Sequence, residues 1–199
     1  MFTALAEHIV NALCNNSTIE EENKGLYQYG FFILLTRVFF FLLSILYGVI
    51  LSMIWESVLF YLLLSLVRGY AGGIHASREW ICTTCTSLTL LGGVLLINWF
   101  SKWDSIAVPL VILVVGTAVI GLVCPIDSAE KPLDQSEKKR YQRITWMILG
   151  ALLGASIVSL LVMFPPLLHI CATVVAVATV LALLGKTKEK RRQNLSKTS

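Results

Sequence analysis

Charge is scarce in this chain. Asp, Glu, Lys and Arg make up 14% of its 199 residues, against about 25% in soluble domains. Hydrophobic residues reach 56% and the mean hydropathy is +0.76, which excludes an ordinary soluble domain and makes lipid the expected solvent for most of the chain. A secretory signal is also missing. Residues 1–24 have no basic n-region followed by an apolar h-region and small residues, so the N-terminus is expected to be retained. A disulfide framework is absent as well: the five cysteines (Cys14, Cys82, Cys85, Cys124 and Cys171) are odd in number and scattered through apolar sequence. Cys14, Cys124 and Cys171 read as small buried apolar residues. Eleven of the sixteen basic residues are split between one loop and one tail with no fold for reading bases, so nucleic acid is not an expected partner.

What the chain does have is long apolar runs, at roughly 31–67, 81–100, 105–124, 144–163 and 167–185. A span needs about 20 residues, so the last four runs read as one span each. The first contains Arg37 and Glu56 and is too long for one helix. Gly48, Ser52 and the "WES" at 55–57 point to a tight hairpin there, with a short second span. The fold class is therefore all-α and polytopic, with about six transmembrane helices. Phe2, Leu5, Ala6, Ile9, Val10 and Leu13 recur at helical spacing. They predict an N-terminal amphipathic helix, either on the membrane surface or packed on its own protein. The organisation expected is an amphipathic segment at 1–24, a transmembrane unit at 25–185 and a basic tail at 186–199.

Lys131, Lys138, Lys139, Arg140 and Arg143 crowd the 125–143 loop, and Lys186, Lys188, Lys190, Arg191, Arg192 and Lys197 the tail. The linkers on the other side carry only Lys102. Loop and tail are therefore expected in the cytoplasm. Two spans further back, the segment Arg68–Arg78 falls on the same side. Arg37 sits inside a span and is expected to face protein or water or to snorkel to an interface.

The segment "RGYAGGIHASREWIC", Arg68 to Cys82, interrupts two apolar runs. Gly69, Gly72 and Gly73 permit a bend, and Arg68, His75, Glu79 and Cys82 fall within fifteen residues. A cysteine attacks a carbonyl as its thiolate, and an adjacent imidazole supplies the base. His75 and Cys82 are seven residues apart, about 10.5 Å along one continuous helix. A direct hydrogen bond therefore needs His75 to fold back from the glycine-bearing turn. Ser77 is then a candidate cap for a helix beginning near Arg78, with Cys82 in its second turn. Glu79 is a candidate to orient the histidine or to pair with Arg78 or Arg68. Arg68 is a candidate to grip a substrate carboxylate or to snorkel at a span end. The same residues allow other chemistry. Cys82-Thr-Thr-Cys85 is a C-x-x-C that suits a membrane thiol–disulfide oxidoreductase. His75, Glu79, Cys82 and Cys85 are of zinc-ligating types, but the cluster is single and short, and no metal or cofactor is expected. A small transporter with a re-entrant glycine-bearing loop is the reading that needs neither thiol.

"RGYAGGIHASREWIC" resembles the signature of the accessory gene regulator B family, bacterial membrane peptidases of quorum sensing. Arg68, Gly72, Gly73, His75, Ala76 and Cys82 match it. A second match is "CPIDSAEKPLDQSEKKR" at 124–140, a proline–acid segment followed by Lys-Pro-Leu and a basic cluster. The resemblance implies a cysteine endopeptidase in the bacterial cell membrane, with Cys82 as nucleophile and His75 as its base at the cytoplasmic face. It places Arg68 and Gly73 at positions tied to activity. It implies a propeptide substrate with an amphipathic leader and an acidic C-terminal tail. That tail is cut off so that the remainder cyclises to a thiolactone autoinducing peptide, and Lys131, Lys138, Lys139 and Arg140 are candidates to attract it. It implies a homodimer too. Gly92-Gly93 and Gly150, Gly154 and Ser156 suit close helix packing, between chains or within one.

Overall fold

The computed structural model describes residues 2–15, 21–71, 79–103, 106–124 and 135–197. Among these there are seven α-helices and no strand. They are α1 (Phe2–Asn15), α2 (Lys24–Leu51), α3 (Ile54–Ala71), α4 (Glu79–Lys102), α5 (Ala107–Val123), α6 (Gln135–Leu161) and α7 (Pro165–Lys197), with a 3₁₀ turn over Glu21–Asn23. Five helices are long and apolar enough to cross a membrane. The apolar α5 has 17 residues, at the lower limit for a span. The expected six spans thus become five full-length helices and one short one. They make a multi-pass membrane bundle.

The long first run is divided as its glycine and serines suggest. Ser52 follows α2 with φ 55°. The Met53 N–H donates to the Gly48 carbonyl at 2.7 Å and the Ser52 N–H to the Val49 carbonyl at 3.2 Å. This is a Schellman ending, which satisfies carbonyls the helix leaves open. A side chain on Gly48 would place its Cβ 2.6 Å from the Ile54 Cα, so glycine is what lets α3 turn back so tightly. The α6–α7 hairpin repeats the device, with Met163 at φ 55° and the Phe164 N–H donating to the Ser159 carbonyl at 2.9 Å.

The bundle is organised around α7, which packs against α3, α4, α5 and α6. Leu168 through Val175 are all buried, and 56% of its most apolar window is inside, against 17–28% for the other four long helices. A helix buried all round is the central one. Close approaches are made at glycines. A Cβ on Gly93 would lie 2.2 Å from the Phe60 ring, one on Gly116 2.5 Å from Val175, and one on Gly121 2.3 Å from the Trp146 ring. Gly92, Gly150 and Gly154 face open space.

Of the two expectations for α1, packing on its own protein is what the structure shows. Phe2, Ala6 and Val10 are buried, the helix lies against α2, and the Phe2 and Phe39 rings are 5.2 Å apart. Leu5 stays 47% exposed.

Candidate functional site

Short links alternate the direction of successive helices. The ends of α3 and α5 and the starts of α4 and α6 therefore gather at one end of the bundle. That end carries the exposed Lys139, Arg140 and Arg143 of α6 and Lys186 of α7. The Tyr70 and Tyr141 rings, 5.9 Å apart, place the last turn of α3 beside the start of α6. Lys186 is within electrostatic reach of Cys124 at the end of α5.

Cys82 lies at this end. It is the fourth residue of α4 and partly buried. The sequence expects a helix starting near Arg78 with Cys82 in its second turn; α4 is described from Glu79, next to that expected start. The Arg68 guanidinium, on the last turn of α3, is within electrostatic reach of Cys82. Cys85, one turn on, is exposed.

The rest of the "CTTCTS" stretch is polar sequence in an apolar helix, and it satisfies itself. The Thr83 hydroxyl donates to the Glu79 carbonyl (3.0 Å), Thr84 to Trp80 (2.9 Å) and Ser87 to Thr83 (2.9 Å). Such bonds to the preceding turn let hydroxyls enter a membrane helix without an outside partner.

Glu79 holds α1. The Phe2 N–H donates to Glu79 Oε1 at 2.7 Å and the Thr3 hydroxyl to Oε2 at 2.8 Å. The carboxylate therefore caps the start of α1, a position where negative charge is favoured, and pins that helix to the turn bearing Cys82. The sequence offered no sign of this contact, because the partners are 76 and 77 residues away.

His75 and Gly73 lie in the segment 72–78, and Lys131 in 125–134; both segments are outside the described residues. Lys138 and Lys139 sit in the first turns of α6, at the same end as Cys82.

The model of the family described as accessory gene regulator B matches residues 6–184. Two AgrB-like proteins of Clostridium perfringens are similar to the chain. One, from strain 13, is 22% identical over 170 residues, covering 82% of this chain and 79% of the relative. The other, from strain SM101, is 23% identical over 170 residues with the same coverage. No solved structure is a significant match. With a family match spanning nearly every helix described above, the chain belongs to the accessory gene regulator B family.

Proposed function

We infer that this protein acts in the accessory gene regulator system, the role that its family membership supports. Within it, we propose that this protein is an integral membrane cysteine endopeptidase that removes the C-terminal tail of a quorum-sensing propeptide. The observation that carries the reading is the setting of Cys82: a partly buried thiol in the first turn of α4, with Arg68 in electrostatic reach.

In the proposed reaction His75 takes the proton of the Cys82 thiol, and the thiolate attacks the carbonyl preceding the tail. The tail leaves as a free amine, taking the proton back from His75, and an acyl-enzyme thioester remains on Cys82. A cysteine of the propeptide attacks this thioester, forming the thiolactone and returning the Cys82 thiol. One thioester is exchanged for another, so closing the ring needs no ATP. Water must be kept from the acyl-enzyme, and a site at the membrane boundary suits that need. Arg68 supports the thiolate or the incoming carbonyl, and Gly73 belongs to the site by its match to a family position tied to activity. Lys131, Lys138 and Lys139 draw the acidic tail towards the site. The protein's place is the bacterial cell membrane, with the site at the cytoplasmic face. Its partners are the propeptide, the bilayer and a second copy of the chain.

The test is cleavage of a co-expressed or added propeptide, followed by mass spectrometry of the released tail. Cys82→Ala and His75→Ala should each lower cleavage by at least about 10³-fold, while Cys85→Ala leaves it within twofold or so. Inside-out vesicles should cleave added propeptide and right-side-out vesicles should not. Loss in both cysteine variants with His75→Ala active would replace the peptidase by a thiol–disulfide exchange enzyme.

A further inference from the structure

A groove of about 610 Å³ runs along α2 and α3 to the start of α6. That is within the ~300–1,000 Å³ typical of ligand sites. Its walls are apolar and face outward from two spanning helices: Val38, Leu62 and Leu66 are 47%, 49% and 46% exposed. Arg37 lines the same groove. It is thirteen residues from Lys24 and fourteen from Leu51, about 20 Å from either end of α2. Among the described residues no carboxylate lies within ion-pairing distance of it.

An exposed guanidinium this deep in a span is costly unless it meets an anion or a polar phase. The groove leads towards the polar phase. From Arg37 it passes Tyr61, whose hydroxyl donates to the Arg37 carbonyl at 2.9 Å. It ends at Gly69, Tyr70 and Tyr141 at the basic end of the bundle. The mouth is thus formed by two tyrosines beside the basic start of α6, and the walls by side chains already turned to the acyl phase.

We propose that this groove binds an anionic phospholipid, with the tyrosines and the basic start of α6 at its mouth holding the headgroup, the α2–α3 walls holding an acyl chain, and the Arg37 guanidinium supplying the charge further along the groove that favours an acidic over a zwitterionic lipid. A soluble anion would use the cation and leave the walls unpaired. A zwitterionic lipid would meet the guanidinium with no net charge. Basic clefts between spanning helices near the polar boundary suit acidic headgroups. The proposal is independent of the peptidase chemistry, because Cys82 is not among the described residues that line the groove.

The test is native mass spectrometry of the detergent-purified full chain with added phosphatidylglycerol, phosphatidylcholine, inorganic phosphate or a short acidic peptide. Phosphatidylglycerol should remain bound and raise the melting temperature; phosphatidylcholine and phosphate should do neither. Arg37→Gln should weaken phosphatidylglycerol retention about tenfold or more, and Arg37→Lys should keep the preference for the acidic lipid. Leu66→Trp fills the groove while leaving the charge in place, and it should also lose the lipid, which decides the matter if Arg37→Gln does not fold. The proposal is overturned if Leu66→Trp or a folded Arg37→Gln holds phosphatidylglycerol as the parent protein does. Equal retention of phosphatidylcholine, stabilisation by phosphate alone, or displacement of the lipid by the acidic peptide would also overturn it.

Discussion

Glu79 shows how one side chain can connect distant parts of the bundle. Its two carboxylate oxygens accept from the Phe2 N–H and the Thr3 hydroxyl, and three residues later the same helix carries Cys82. Hydrogen bonds to a charged acceptor are worth about 1.5–3 kcal/mol, against about 0.5–1.5 for neutral ones. Glu79→Gln should therefore loosen the docking of α1 by about 1 kcal/mol, seen as faster amide exchange over residues 2–8 with little change in α7. Unchanged exchange there would show that the buried faces of Phe2, Ala6 and Val10 hold α1 unaided. The residue types around Cys82 were readable from "RGYAGGIHASREWIC", because nucleophile, base and cation are recognisable by chemistry. The electrostatic reach of Arg68 to Cys82 was not, since the two sit on different helices and no spacing rule joins them.

At the scale of elements, both two-helix hairpins with described turns end in the same way, with a non-glycine residue in the left-handed region at Ser52 and Met163. That conformation costs an L-residue about 1–2 kcal/mol, partly recovered because glycine is more disordered when unfolded. Ser52→Gly should raise stability by about 0.5–1 kcal/mol. Gly48→Ala should lower it by about 1–3 kcal/mol, since its new Cβ meets backbone 2.6 Å away. Melting temperatures in detergent of the two variants should move in opposite directions. This hairpin was legible because a glycine and polar residues punctuate an over-long apolar run. The docking of α1 was not legible, because an amphipathic face fits a lipid surface and a protein surface equally well.

For the molecule as a whole, glycines decide which helices touch. Gly93 and Gly92 are neighbours in sequence, yet a Cβ on the first strikes the Phe60 ring and a Cβ on the second meets nothing. Gly93→Ala should cost about 1–3 kcal/mol, Gly92→Ala close to nothing, and Phe60→Leu added to Gly93→Ala should recover part of the loss, as expected for residues in contact. Thermal unfolding of the four proteins gives the coupling directly; additive effects would mean that α3 and α4 do not meet there. Gly150 and Gly154 remain open on the outer side of α6, leaving that face for lipid or for another chain. Membrane residence, the helix count and the gathering of basic charge at one end were determined by the sequence alone, because each follows from local hydropathy and from the alternation of spans. The choice of α7 as the central helix, the partner of each glycine, the capping of α1 by Glu79 and the groove around Arg37 were decided only by the tertiary structure. In a chain whose helices are nearly all apolar on every side, composition cannot say which side faces protein; only the fit of shapes between helices does.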